Sequence, residues 1–173
     1  SGGEVTQNRT YQDLLKNEID VRNFEILAIS ELYIVDINGG SSLFREKDLY
    51  KLVSVSPDGN FVLLNVLKKP FSYLVPESRF ANTSFICKIT GEFVQTIEEA
   101  PLNEILPKGI MAVHKNKRDI KWRADKPSEL FYSIALDDGD PAKNVSNRDA
   151  LYILESPLFV EPRLIYKTQL RFS

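Results

Sequence analysis

Val53-Ser54-Val55-Ser56-Pro57-Asp58-Gly59-Asn60-Phe61-Val62-Leu63-Leu64 is the stretch on which the fold turns. A β-branched run enters a turn in which Pro57 presets φ and Gly59 closes the reversal; an aromatic and aliphatic run then leaves it. The same order returns as Ile120-Lys121-Trp122-Arg123-Ala124-Asp125-Lys126-Pro127, followed by Leu130-Phe131-Tyr132. Aligning Ser56 with Arg123, Phe85 with Leu151 and Ile97 with Ile165 gives offsets of 67, 66 and 68 residues. Four successive strands recurring at one spacing predict a repeated four-stranded unit.

Working outward, the first unit reads as strands over 49–56, 61–67, 85–89 and 93–97, the last two flanking the tight turn Thr90-Gly91-Glu92. The second reads as strands over 120–123, 130–136, 151–154 and 163–166. Each unit has a long connection between its second and third strands, 68–84 and 137–149. Upstream, strands are expected over 24–30, 32–37 and 41–44, with Asn38-Gly39-Gly40 as a hairpin turn. Only 10–17 reads as helical, capped by Thr10, with Tyr11, Leu14 and Leu15 on one face.

The fold class is therefore all-β. A four-stranded unit with its turn between the first and second strands is a β-propeller blade. The expectation is a propeller fragment: residues 1–23 a linker with the one short helix, 24–48 the outer half of a blade, 49–99 a complete blade and 100–173 a second. Propellers close with about four to eight blades, so the chain is expected to be a piece of a longer protein.

Composition agrees with a folded domain and excludes several classes. The 173 residues are 43% hydrophobic and 27% charged, enough to build a core. Lys plus Arg is 22 against 24 Asp plus Glu, a net charge of -2, which argues against nucleic-acid binding through a broad basic field. The basic run Lys115, Lys117, Arg118, Lys121 is interrupted by Asp119 and lacks an aromatic platform; it reads as a solvated loop. No apolar run approaches the roughly 18 residues of a membrane span, and Ser1-Gly2-Gly3-Glu4 does not open an export signal. One cysteine, Cys87, excludes an internal disulfide framework and a cysteine zinc cluster.

The chemistry of hydrolysis is hard to build from these residues. No Gly-x-Ser-x-Gly elbow occurs, and Gly39-Gly40-Ser41-Ser42-Leu43 lacks the closing glycine. His114, the one histidine, would be the only general base; its polar neighbours read as an exposed loop. Cys87 sits mid-strand and reads as a packing position. Asp137-Asp138-Gly139-Asp140 lacks the twelve-position oxygen pattern and distal Glu of a calcium loop and reads as an acidic turn. No catalytic residue, cofactor or metal ligand is expected in the chain. Asn8-Arg9-Thr10, Asn82-Thr83-Ser84 and Asn144-Val145-Ser146 match the glycosylation sequon, which matters only in a secreted eukaryotic protein.

Several segments together resemble a known family. Arg9-Thr10-Tyr11-Gln12-Asp13-Leu14-Leu15-Lys16-Asn17 comes first. Ser56-Pro57-Asp58-Gly59 precedes Pro70-Phe71-Ser72-Tyr73-Leu74-Val75-Pro76, with Arg79-Phe80 just after. Trp122-Arg123-Ala124-Asp125-Lys126-Pro127 leads to Ala135-Leu136-Asp137-Asp138-Gly139-Asp140-Pro141 and then Arg148-Asp149-Ala150-Leu151. In this order they resemble the N-terminal propeller of glutamyl endopeptidase-like serine peptidases of the prolyl oligopeptidase family, found in bacteria and plant chloroplasts. The chain departs from the family's pattern at Glu77-Ser78, at Asn116-Lys117-Arg118 and at Ile134.

The resemblance implies a parent whose propeller caps a C-terminal α/β-hydrolase domain with a Ser-His-Asp triad, absent from this chain. It also implies an exported bacterial or a chloroplast parent, and peptide substrates gated and oriented by the propeller. Arg79, Arg123 and Arg148 are the candidates for contacts with peptide carboxylates, against pairing with Asp125 or Asp149. A cut propeller would expose apolar blade faces, so the excised chain is expected to pair as a homodimer. The competing reading is a self-contained β-rich module that binds protein or carbohydrate.

Overall fold

A computed structural model describes residues 11–156 and 161–172. The Thr10 cap and the Asn8-Arg9-Thr10 sequon lie outside the described residues. Helix α1 spans Glu18–Ala28 and is followed by a hairpin of β1, Ser30–Val35, and β2, Ser41–Asp48. Four strands then form one antiparallel sheet: β3, Tyr50–Val55; β4, Phe61–Leu67; β5, Asn82–Lys88; and β6, Phe93–Ala100. Four more form the next: β7, Arg118–Trp122; β8, Glu129–Ala135; β9, Asp149–Glu155; and β10, Arg163–Thr168. Both sheets are meanders in which each strand pairs with its sequence neighbour. All eight strands expected from 49 onward are present, and the connection 89–92 reverses on Gly91 at φ +90°.

The helix is where sequence and structure differ. It was expected over 10–17 with a strand over 24–30; it lies at Glu18–Ala28, and residues 24–28 are helical. Asn17 supplies the cap that Thr10 was expected to give, its side chain accepting hydrogen bonds from the backbone N–H groups of Ile19 and Asp20 at 2.9 and 3.0 Å. Acidic Glu18 and Asp20 occupy the positive end of the helix. Phe24 and Ala28, four residues apart, share the face that packs on Leu49, Leu67, Val75 and Phe80. Phe24 meets Phe71 edge-on at 5.2 Å, and Phe71 stacks on Phe80 at 5.1 Å. The hairpin, in contrast, turns at Asn38-Gly39-Gly40 as expected, with Gly39 at φ +88°.

Three layers result. β4 reads Phe-Val-Leu-Leu-Asn-Val-Leu with both faces covered. Val62 and Leu64 join Cys87 on the face toward the hairpin, where Leu32, Phe44, Tyr50 and Phe85 pack. Leu63, Ile86 and Ile97 face the second sheet and meet its Trp122, Leu130, Tyr132 and Leu154. A strand buried on both sides loses the alternation of a half-exposed strand, and β4 does so because it lies in the middle layer.

The two homologous turns touch across the sheets. Asp58 donates its backbone N–H to the Pro127 carbonyl at 3.0 Å, and Ser128 Oγ donates to the Asp58 carboxylate at 2.9 Å. Partial burial pushes the Asp58 carboxyl up, but hydrogen bonds from Ser56, Asn60 and Ser128 outweigh it and lower its pKa from 3.8 to about 2. A carboxyl depressed on folding stabilises above its unfolded pKa of about 3.9 and loses that contribution as pH falls through its folded value. Asp58→Asn is therefore expected to be less stable than the parent chain at neutral pH and to converge with it on acidification. Urea midpoints taken from neutral pH down to the acid limb check this; a gap that stays constant would refute it.

Candidate functional site

The ends of the sheets opposite these turns diverge around a cleft of about 530 Å³. Lys51 on β3, Asn65 on β4, Asn82 and Ser84 on β5 and Glu98 on β6 line it from the first sheet. His114, Lys117, Arg118 and Asp119 line it from the segment entering β7. Asn65 Nδ2 donates to Asn82 Oδ1 and to Ser84 Oγ, both at 2.7 Å. Lys117 Nζ donates to the Ile97 carbonyl at 2.5 Å and lies 5.3 Å from the centre of the Tyr132 ring. Glu98 accepts from Asn116 Nδ2 at 2.9 Å, tying the incoming loop to the first sheet.

His114 was expected on an exposed loop, and the structure corrects this. It lines the cleft, half-buried, with its Nδ1 atom shielded from solvent. Burial first, and then the nearby Arg118 guanidinium, hold its pKa below 6.5 despite opposing carboxylates at Glu98 and Asp119.

Arg118 ties this cleft to a buried charge cluster. Its guanidinium donates to Asp149 at 2.5 Å and to Ser133 Oγ at 3.2 Å. Asp149 also accepts from Arg171 and from the Phe172 backbone N–H, and Asp137 accepts from Arg171, from Arg148 at 2.7 Å and from the Gly139 N–H. Burial pushes the Asp137 carboxyl up, but Arg171 and Arg148 outweigh it and hold it below the usual range. The acidic turn at 137–140 is thus built around arginines, with Gly139 at φ +81°; a Cβ there would lie 1.9 Å from the Val113 carbonyl oxygen.

The three arginines singled out from the sequence do not gather in one place. Arg79 ends a single 3-10 turn, Glu77–Arg79, with its guanidinium 5.1 Å from the centre of the Tyr11 ring. Arg123, after β7, grips Asp125 at 2.6 and 3.0 Å and pairs with Glu129. Arg148 pairs with Asp137, not with its neighbour Asp149. None of them lines the inter-sheet cleft. The sequence reading did not gather the cleft residues into a site. The basic run Lys115, Lys117, Arg118, Lys121 was expected to be a solvated loop, whereas Arg118 lies on β7 with its side chain nine-tenths buried on Asp149. Asn65 is the single polar residue in the run 61–67. Among the described residues, no three His, Cys, Asp or Glu side chains are placed to hold a metal ion.

Comparison with known proteins finds relatives named as peptidases. No family model matches the chain, and no solved structure matches it. The chain is 34% identical over 171 residues to a protein of Oryza sativa subsp. japonica named probable glutamyl endopeptidase, chloroplastic. It is 35% identical over 171 residues to an Arabidopsis thaliana protein of the same name. Each alignment covers 98% of this chain, which spans 18% of the length of either relative. The chain is therefore similar to one segment of a much longer peptidase-like protein.

Proposed function

We propose that the chain is a non-catalytic β-propeller segment of a glutamyl endopeptidase-like serine peptidase of the prolyl oligopeptidase family. In that role it limits access to, and orients peptides for, a C-terminal α/β-hydrolase domain of the parent. The observation that carries the reading is the succession of two four-stranded meanders with one strand order, stacked face to face through Leu63, Ile97, Trp122 and Leu130. Blades of a propeller stack in this manner. The two plant relatives support the peptidase part of the reading over nearly the whole chain. Within it, Arg79, Arg123 and Arg148 are candidates for peptide carboxylates, each exchanging its present contact for substrate.

The test pairs the 173-residue chain with the product of the full reading frame that encodes it. The chain alone is expected to show no turnover of Glu-containing chromogenic peptides and no labelling by a fluorophosphonate probe. The full product is expected to show both, with its nucleophile in a Gly-x-Ser-x-Gly elbow. Stoichiometric labelling of a serine in the chain alone would overturn the reading, as would a full product with neither activity nor labelling.

A further inference from the structure

Residues 113–117 are tied to both sheets. The Val113 N–H donates to the Gly139 carbonyl of the acidic turn at 3.1 Å, and Asn116 and Lys117 reach Glu98 and the Ile97 carbonyl of β6. His114 stands in the middle of this tie. Its Nδ1 is sealed from solvent and has no hydrogen-bond partner among the described residues. A neutral imidazole with its proton on Nε2 leaves only a lone pair at Nδ1. A protonated ring must put an N–H there, charged and with neither water nor an acceptor to receive it, and that is the costlier state to bury.

We propose that His114 is a proton-operated catch: the neutral ring seats residues 113–117 between the sheets, and uptake of one proton releases them, which unties the sheet ends opposite the two homologous turns. The charges around the ring favour release. Arg118 on β7 and Arg79 at the end of the 3-10 turn repel an imidazolium, while Glu98 on β6 and Asp119 on β7 attract it. Both carboxylates are already engaged, Glu98 by Asn116 and Lys117 and Asp119 by Ser133 Oγ. Lys51 and Lys117 line the same cleft and Lys115 is next in sequence, all of one sign with an imidazolium. In the turn packed against the His114 backbone, Asp137 is taken by Arg148 and Arg171, and Asp138 by Lys143. The balance lies with the neutral ring, whose pKa is lowered by burial first and then by Arg118. A base whose pKa is lower in the closed form than in the open one takes up a proton on opening, so acid favours the open form, beginning below about pH 6.5. The inference stands independently of the peptidase assignment.

The single histidine makes the test direct, because ordinary carboxyls titrate below about pH 5 and the α-amino group near about pH 8. The imidazole NMR signals of the 173-residue chain belong to His114 alone and are expected to titrate with a midpoint below the ordinary 6.5. Amide hydrogen exchange between about pH 7 and about pH 5, expressed as protection against the intrinsic rate, reads the release. One proton per opening is expected to lower the protection of the Val113 amide by up to about tenfold per pH unit. The amides of β4, a strand paired on both sides, are expected to keep theirs. His114→Phe keeps an aromatic ring without a titrating nitrogen, and its Val113 protection is expected to stay constant over the same range. An imidazole midpoint at or above 6.5 would overturn the proposal. So would Val113 protection that stays constant in the parent chain, falls equally in the Phe variant, or falls no more than that of β4. Should the variant not fold, the imidazole midpoint and the exchange of the parent chain decide together.

Discussion

Replacing Trp122 with Ala is expected to lower the unfolding free energy by about 3–5 kcal/mol, the range for removing a large aromatic side chain from a core. Trp122 is 9% exposed and stands where the two four-stranded sheets meet, against Leu63, Ile86 and Ile97 on one side and Leu130 and Tyr132 on the other. Its Nε1 donates to the Ser54 carbonyl of β3 at 2.9 Å, so the ring is both filler and bridge. Ala would open a cavity lined by both sheets, and neither can close it without moving the other. Trp122→Phe separates the two roles, because it keeps most of the volume and loses the hydrogen bond, at about 1 kcal/mol. Urea unfolding followed by circular dichroism checks both variants; tryptophan fluorescence cannot, since the chain has one Trp. A loss below about 1 kcal/mol for the Ala variant would show that the two sheets do not depend on this contact.

Asp149→Ala is expected to have an effect of similar size through different physics. Asp149 is fully buried and neutralises Arg118 and Arg171, whose side chains are each 9% exposed. Removing the carboxylate leaves buried cations facing a cavity, and breaking a buried pair from one side costs about 3–5 kcal/mol. The loss is also directional. The carboxylate holds the Phe172 backbone N–H at 2.8 Å, and Arg171 reaches the Met111 carbonyl at 2.9 Å, so the segment after β10 is expected to loosen first. Hydrogen exchange that rises at 163–172 before the rest of the second sheet supports this order; uniform exchange throughout would contradict it. Lys143→Ala is the control, since Asp138 itself sits at φ +55° and its replacement would add backbone strain. The pair of Lys143 with Asp138 is largely exposed, and no measurable change is expected.

The sheets were legible because their signals are local. Alternating apolar residues, Pro57, Gly59 and Gly91 mark strands and turns one by one, and the 66–68 residue offsets tie them into two units. Trp122 stands at the position of the second unit that Val55 holds in the first, at the end of a first strand beside the turn. The helix was not legible. Phe24-Glu25-Ile26-Leu27-Ala28-Ile29 is an apolar run with strand-like composition, and its periodicity settles nothing over six residues. What decides it is distant: the aromatic pocket of Phe71 and Phe80, which a helix meets with Phe24 and Ala28 together. The cleft was illegible for a related reason. Its residues come from separate parts of the chain between Lys51 and Ile120, and nothing in the local sequence around His114, Lys117 or Arg118 says that they meet Asn65 and Glu98. Arg148 shows the limit most plainly, since sequence adjacency favours Asp149 and the fold gives it Asp137.

The two sheets touch directly at one end, and at the other they are joined, among the described residues, only through the segment entering β7, by Asn116 on Glu98 and Lys117 on the Ile97 carbonyl. Asp58 with Ser128 and Trp122 with Ser54 bind the ends that carry the turns, while the 530 Å³ cleft holds the opposite ends of β3 and β7 apart. The arrangement is that of a book held at its spine. Closing or widening the open margin would have to break the Asn116 and Lys117 contacts first, whereas the spine is held by Trp122 and the two turns.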